Sequence, residues 1–464
     1  MKDAKQYTSI FKATSLIGGV QVFQVLTNLI RGKVIAILLG ATGMGINSLF
    51  ISTISMITNF TGLGLNFSAV REIAKAKESN DTLFLSEVIT IFKKWLMASA
   101  VLALFTVFVL SPILSRYTFE SSEYTLAFIF LASMAFFNIL SSGKASILQG
   151  VRSLRKYALF NLSSSVSSLI VSIPFYFFMG VRGIVPALII SSLLTLVISI
   201  LYTKSLHITS RSKNYKETFS RGMDMVKLGV TMMLSTTVGS IIHYLINISI
   251  SSSSVADLGL YQAGMSITSQ SIGLVFTAMA VDYYPRLSAI SSDNVKVREM
   301  TNQQGVVTLL IATPVLSILS VMSPLVVILL LSHEFLIIVD FIRLIAFGIL
   351  FKATSYSIGA ISFAKGDKKV FFVMEGILMN FATLLFTAGG YKIGGLYGIG
   401  VGYIFLHILY LITIVLVTNK LYEFKISRLY LKIIGVSTII MGFITALVTF
   451  NLFGPYITYS LSSI

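Results

Sequence analysis

The residues best suited to chemistry in this sequence are charged and amide side chains that lie inside long apolar stretches. An ionisable group is costly within a bilayer, so those that are kept there are candidates for a functional site. The side chains predicted to line a central cavity and to bind substrate are Arg31, Arg343, Asn28, Gln24, Lys352, His243, Asn247 and Asn59. Basic groups outnumber acidic ones within the stretches, and a guanidinium matches phosphate with a planar fork of donors, so the predicted ligand is an anion.

Helical spacing groups several of these side chains on common faces. Gln24, Asn28 and Arg31 follow one another at intervals of four and three residues, and His243 and Asn247 are four residues apart. Residues at such intervals lie on one face of an α-helix. A polar face of this kind either lines a water-filled cavity or joins neighbouring helices through hydrogen bonds. For His243, proton transfer, a bond to a sugar hydroxyl and a structural hydrogen bond all fit the sequence.

Two acidic side chains inside the stretches, Asp340 and Glu375, are the candidates for an ion-coupling site. Asp340 precedes Arg343 by one helical turn, so an intrahelical ion pair is an alternative explanation for both residues. Lys352 has no acidic neighbour along its own stretch. The chain has no cysteine and no nucleotide-binding or metal-ligand motif, so we expect no metal, no cofactor and no enzymatic activity.

The elements that must position these side chains are thirteen long apolar stretches. Apolar residues make up 55% of the 464 residues and charged residues only 11%, which is typical of a polytopic membrane protein. A stretch of about 20 apolar residues crosses the hydrocarbon core as an α-helix, because a helix satisfies its own backbone hydrogen bonds there. The predicted spans are 13–39, 43–68, 95–114, 124–148, 159–179, 181–201, 225–250, 259–279, 305–331, 335–364, 370–388, 394–417 and 433–453.

Positive charge alternates from one gap between spans to the next. Most of the 35 Lys and Arg residues lie in the N-terminal segment and in alternate gaps, whereas the opposite gaps hold only Arg116, Arg182 and Lys392. The positive-inside rule therefore predicts that the N-terminus is cytoplasmic. This topology accounts for the net charge of +17, so no nucleic-acid partner is expected.

A weak internal repeat, offset by about 210 residues, predicts two lobes. The segment GVRGIVPALIISSLL, for example, resembles GYKIGGLYGIGVGYIF in the second half of the chain. Six spans in each copy give both copies the same orientation in the membrane. The predicted domains are an N-terminal lobe over 1–205 with helices 1–6, a basic cytoplasmic linker over 206–222, a C-terminal lobe over 223–420 with helices 7–12, and an additional helix and tail over 421–464.

Three segments between the predicted spans carry a family resemblance: AMAVDYYPRLSAI after the eighth span, ILQGVRSLRKYALFNL after the fourth and AKGDKKVFFVMEG after the tenth. They resemble the Wzx-type oligosaccharide flippases of the multidrug/oligosaccharidyl-lipid/polysaccharide exporter superfamily. The resemblance implies an all-α polytopic fold with two pseudo-symmetric six-helix lobes in a V-shaped MATE-like arrangement, plus about one extra C-terminal helix. Arg31 and Arg343 match positions where related flippases carry basic cavity residues. The family has twelve or fourteen spans, whereas thirteen are predicted here.

The same resemblance implies a function. Such a protein translocates an undecaprenyl-diphosphate-linked oligosaccharide, an O-antigen or capsule repeat unit, across the bacterial inner membrane by alternating access. Coupling to an H⁺ or Na⁺ gradient is open, and the expected partners are membrane lipid, a glycan polymerase and other glycan-assembly proteins. Two alternatives remain: a cation-coupled multidrug exporter of the same superfamily, and a membrane glycan polymerase or ligase, which the short outer gaps disfavour.

Overall fold

The computed structural model describes residues 2–206 and 215–449. Side chains are described from residue 19 to 206 and from 222 to 449, apart from Thr231, Met232, Ser235, Leu274, Ala278, Ala280 and Val281. Within these ranges all regular secondary structure is helical, which confirms the predicted all-α polytopic fold class. Parts of the predicted linker and of the predicted C-terminal tail, residues 207–214 and 450–464, lie outside the described residues.

Thirteen α-helices follow one another in the described part of the chain. They are α1 (Lys2–Thr61), α2 (Leu65–Glu78), α3 (Thr82–Phe119), α4 (Thr125–Gly150), α5 (Leu154–Met179), α6 (Ile184–Lys204), α7 (Tyr215–Ser251), α8 (Val255–Ala289), α9 (Asn294–Leu330), α10 (Val339–Ala364), α11 (Lys368–Phe371), α12 (Met379–Tyr422) and α13 (Arg428–Thr449). Short 3₁₀ helices lie at Gly180–Gly183 and His333–Ile338, and a π-helical segment, Phe372–Leu378, joins α11 to α12.

Glycines break the two longest helices. Gly40 in α1 has φ 66° and ψ −170°, and Gly395 in α12 has φ 57° and ψ −141°. Side chains disfavour such backbone conformations, so glycine is the residue that allows each break. The break at Gly40 falls in the predicted gap between the first and second spans, and the break at Gly395 falls at the start of the predicted twelfth span, two residues after the gap that precedes it.

Seven helical stretches of the described chain are long and apolar enough to cross a membrane, or eight when the bent α8 is counted as one span. Three of them, Gly19–Thr61, Leu154–Lys204 and Lys368–Tyr422, each cover two predicted spans. The multi-pass architecture is therefore established, while the count of thirteen spans stays a prediction.

The first of two compact units comprises residues 1–39 and 46–248. In this unit α4 packs against α2, α3 and α6, and α5 packs against α6. The hydroxyls of Thr118 on α3 and Tyr244 on α7 share a hydrogen bond of 2.9 Å. Unit 1 thus includes most of α7, although the sequence predicted that this helix opens the C-terminal lobe.

The second unit comprises residues 40–45 and 249–464, and α10 lies at its centre. Most residues of α10 are buried, because the helix packs against α8, α9, α12 and α13. The Tyr430 hydroxyl of α13 donates a hydrogen bond of 2.7 Å to the Thr354 carbonyl of α10. Any charged side chain on α10 is therefore held by a densely packed helix. The predicted lobe boundaries at 205 and 223 stay a prediction.

Candidate functional site

A cavity of about 450 Å³ lies within unit 2. Its wall comes from α8, α10, α11, the π-helical segment and α12, and most of the wall is aromatic or apolar. The polar and charged side chains that line it include Lys352, Glu375, His407 and Tyr410. A mostly apolar concave surface with a few polar groups is the usual form of a small-ligand site.

Lys352 is the basic residue of this cavity. It lies near the middle of α10, and its side chain is exposed although the residues on either side of it, Phe351 and Ala353, are buried. Among the described residues, no hydrogen bond or ion pair joins its ammonium group. The ammonium is therefore directed into the cavity with its donors available to a ligand.

Glu375 is the acidic residue of the same cavity, and it lies on the π-helical segment Phe372–Leu378. The Tyr410 hydroxyl of α12 donates a hydrogen bond to Glu375 Oε1. The Asn380 amide donates to the Glu375 and Gly376 carbonyls at 3.0 and 2.9 Å, which satisfies backbone groups at the change of helical pitch. Single π-helical turns recur at functional sites, because they turn a side chain away from the ordinary α-helical register.

Lys352 and Glu375 share the cavity without direct contact. In the described structure the Lys352 ammonium and the Glu375 carboxylate do not form an ion pair within 4.0 Å, although both residues line the one cavity. In surroundings of low polarity the interaction between two charges is stronger than it would be in water. The cavity therefore offers an ammonium and a carboxylate that are separated from each other.

Aromatic rings form the rest of the wall. The ring centroids of Tyr284 and Phe363 are 4.6 Å apart, and those of Phe363 and Phe371 are 5.0 Å apart. Tyr356 stacks on Phe276 at 4.8 Å with an interplanar angle of 22°. These rings present apolar faces together with phenolic hydroxyls, which suits a ligand that is itself both apolar and polar.

Arg343 lies elsewhere in unit 2, and it is not among the residues that line the cavity. It is 5% exposed, and its guanidinium donates to Asp340 Oδ1 at 2.8 Å and to the Ser320 and Val448 carbonyls at 3.3 Å each. These contacts tie α10 to α9 and α13. The prediction of a substrate-binding Arg343 is not supported by this placement, because its donors are used within the protein; the alternative of an intrahelical pair with Asp340 is observed.

Asp340, the other predicted ion-coupling residue, is the partner in that pair. Its side chain is 50% exposed, whereas that of Arg343 is 6% exposed. The carboxylate thus already has a cation beside it. Of the two acidic candidates, only Glu375 lines the cavity described here.

The remaining predicted site residues lie in unit 1. Gln24 and Arg31 are half-buried and Asn28 is exposed on α1, and among the described residues no hydrogen bond or ion pair joins the Arg31 guanidinium. Asn59 donates a hydrogen bond of 2.5 Å to the Ser240 hydroxyl of α7. Arg31 therefore keeps free donors, as the sequence prediction requires.

The two predicted residues of α7 differ in exposure. His243 is exposed and lies three residues after Ser240, on the helix face that Asn59 contacts. Asn247, by contrast, is fully buried in the packing of unit 1. A substrate-binding role for Asn247 is therefore not supported, because a fully buried amide cannot reach a ligand in a cavity.

Sequence reasoning missed several residues of the cavity. Tyr410, His407 and the aromatic wall are not among the predicted site residues. His407 is 1% exposed and packs edge-on against the Tyr403 ring at 4.4 Å, although it also forms part of the wall. One signal was available: Tyr283 and Tyr284 lie within AMAVDYYPRLSAI, the segment that carried the family resemblance.

Comparison with known proteins agrees with this architecture. The family model described as "Polysaccharide biosynthesis protein" matches residues 10–291, which is more than half of the chain. No curated protein matches the sequence.

Solved structures of similar fold are membrane transporters. The inward-facing form of a multidrug resistance MATE family transporter of the MOP superfamily has a TM-score of 0.70 at 16% identity, covering 86% of this chain and 96% of that one. The lipid II flippase MurJ, in an inward closed conformation, has a TM-score of 0.64 at 16% identity and covers 96% and 100%. A MOP superfamily transporter from Pyrococcus furiosus, whose description notes a reversed polarity of the binding pocket, gives 0.62 at 16% identity over 89% and 96%. At these identities the likeness shows the fold.

Proposed function

The chain belongs to the polysaccharide biosynthesis protein family, and we propose that it is a flippase for polyprenyl-diphosphate-linked oligosaccharide. The observation that carries this proposal is the Lys352 ammonium, which faces an aromatic-lined cavity and has no bound partner among the described residues. A basic group held on a packed membrane helix is costly, and binding an anionic cargo group accounts for it.

In the proposed cycle the cargo enters from the cytoplasmic side. Lys352 binds the diphosphate, and the rings of Tyr284, Phe363 and Tyr356 contact the apolar faces of the adjoining sugars. Arg31 in unit 1 stays a predicted cargo-binding residue, and its free donors suit an anion. The polyprenyl chain stays in lipid, because its long apolar surface is more stable there than in contact with water. Alternating access then releases the glycan on the outer side.

The cargo class we propose is an O-antigen or capsule repeat unit, and the membrane is the bacterial inner membrane with the N-terminus in the cytoplasm. The alternation of positive charge between gaps supports this orientation. A glycan polymerase and other glycan-assembly proteins are the proposed partners. An H⁺ or Na⁺ gradient is the proposed energy source, and no cofactor is required.

Glycan display by a strain that lacks its own flippase tests this function. The wild-type chain should restore display, and Lys352→Gln should abolish most of it, because the cavity then holds no cation. Lys365→Gln is the matched control: Lys365 ends the same helix, but its ammonium donates to the Ser291 carbonyl at 2.6 Å and to Asn294 Oδ1 at 2.7 Å. Wild-type levels of glycan display with both Lys352→Gln and Lys365→Gln would show that Lys352 takes no part in transport.

A cation-coupled multidrug exporter is the second candidate, and Glu375 favours it. A carboxylate in an aromatic cavity suits a cationic drug, and one structural neighbour is a multidrug resistance transporter. Lys352 opposes this function, since its ammonium repels cations from the same cavity. Drug susceptibility of cells that express the chain separates the candidates: an exporter raises resistance and loses it with Glu375→Gln, whereas a glycan flippase leaves resistance unchanged.

A further inference from the structure

Two opposite charges line the unit 2 cavity without touching, and this arrangement restricts how an anion can bind there. The Lys352 ammonium and the Glu375 carboxylate line the same cavity, yet they form no ion pair within 4.0 Å in the described structure. The surrounding wall is mainly aromatic and apolar, so little else screens the two charges. An anion that reaches Lys352 must therefore compete with the field of Glu375.

We propose that Glu375 is an internal competitor of the cargo anion for Lys352, an inference that rests on the proposed flippase function. In the empty cavity the carboxylate is the counter-ion of the ammonium. The diphosphate of the cargo displaces this interaction when it binds, and Glu375 restores it when the cargo leaves. Glu375 thereby weakens anion binding and promotes release, which a transporter needs because tightly held cargo is not delivered.

Tyr410 is the positioning residue in this scheme. Its hydroxyl donates to Glu375 Oε1 from α12, while the carboxylate itself is carried by the π-helical segment. This hydrogen bond holds the carboxylate against α12 and keeps it out of ion-pair contact with the ammonium of α10. Loss of the Tyr410 hydroxyl should let the carboxylate approach Lys352 and compete more strongly with the anion.

The test measures binding of undecaprenyl diphosphate to the purified full-length protein in detergent, by microscale thermophoresis. Undecaprenol, which has the same chain and a neutral head, is the ligand control. The variants are Glu375→Gln, Lys352→Gln, the double variant and Tyr410→Phe, each checked for a monodisperse peak in size-exclusion chromatography. Glu334→Gln is the matched acid control, because Glu334 is an exposed residue of the same unit that does not line the cavity.

Opposite effects are expected from the two charges. Glu375→Gln should bind undecaprenyl diphosphate about three- to tenfold more tightly, and Tyr410→Phe and Lys352→Gln more weakly, with Glu334→Gln unchanged. In the Lys352→Gln background the effect of Glu375→Gln on affinity should disappear, because there is then no ammonium for the carboxylate and the diphosphate to compete for. Undecaprenol binding should not change in any variant.

Two other results have different meanings. If the wild-type protein prefers the diphosphate to undecaprenol but Glu375→Gln binds it no more tightly, the competitor role is refuted and the flippase proposal stands. The same holds if the Glu375→Gln effect persists undiminished without Lys352. If neither the wild-type protein nor any variant distinguishes the diphosphate from undecaprenol, the anion-binding function of the cavity fails, and the competitor role fails with it.

Discussion

Arg343 provides a test of whether a membrane-embedded arginine binds cargo or holds helices together. The residue is 5% exposed, and its guanidinium donates to Asp340 Oδ1 and to the carbonyls of Ser320 and Val448. In Arg343→Met the Val448 carbonyl loses this donor, whereas the Ser320 carbonyl keeps a hydrogen bond of 2.9 Å from the Ser323 hydroxyl. One unsatisfied buried carbonyl costs about 1–3 kcal/mol. Asp340 is half-exposed, so solvation offsets most of its loss. The expected destabilisation is therefore about 1–3 kcal/mol.

The assay is thermal unfolding of the detergent-solubilised protein, followed by size-exclusion chromatography after heating. A loss of this size should lower the melting temperature of a unit of this length by several degrees, at about 2–4 °C per kcal/mol. Asp340→Asn should lower it less, because the Asp340 side chain is 50% exposed. Glycan display per folded molecule should stay close to the wild-type level in both variants.

The opposite pattern refutes this reasoning. If Arg343→Met melts at the wild-type temperature and yet no longer supports glycan display, Arg343 acts on the cargo, as the sequence analysis predicted. Arg343→Lys then serves as a second check, since it keeps the charge but cannot span three acceptors at once. A cargo-binding role requires partial display with Arg343→Lys, whereas a structural role requires a melting temperature between those of the wild type and Arg343→Met.

Two further predictions concern the helical framework. Gly40→Ala should destabilise the protein by about 1–3 kcal/mol in thermal unfolding, because Gly40 has φ 66° and the cost is conformational rather than steric. Gly435→Ala, in open space on α13, is the control and should be nearly neutral. Equal melting temperatures of the two variants would contradict the break assigned at Gly40. Asp367→Ala should cost about 1 kcal/mol at pH 7 through loss of a helix cap. The backbone N–H of Val370 and the Tyr422 hydroxyl lower the pKa of Asp367 from its ordinary 3.8, so the carboxylate stabilises fully above that value. The difference in melting temperature should shrink as the pH falls through the lowered pKa, and a constant difference down to acidic pH would contradict the charge effect.

The membrane framework could be predicted from the sequence because its causes are local. Apolar runs of the required length specify helices in a bilayer, and glycine at Gly40 and Gly395 allows the breaks within α1 and α12. The same reasoning singled out Lys352 as a candidate, since a charge among apolar residues with no acidic residue within a helical turn is visible in the sequence alone. The family resemblance is confirmed by the match over 10–291.

The rest of the candidate site depends on contacts between distant segments. Glu375 and Tyr410 are 35 residues apart and meet only because the π-helical segment and α12 bring them together. Arg343 is satisfied by carbonyls of α9 and α13, and backbone carbonyls leave no mark in a sequence. Polar periodicity placed Asn247 on a helix face, but it does not tell whether that face meets water or another helix, and Asn247 is fully buried.

Translocation by the purified full-length protein in lipid vesicles tests the proposed flippase function most directly. Undecaprenyl-diphosphate-linked oligosaccharide is placed in both leaflets, and the fraction that an impermeant glycosidase outside can reach is followed in time. The wild-type chain should make the inner pool accessible. Lys352→Gln should slow this at least about tenfold, because one desolvated charge contact with the cargo is lost, whereas Lys365→Gln should match the wild type. Wild-type vesicles no faster than protein-free vesicles, or Lys352→Gln as fast as the wild type, would contradict this proposal.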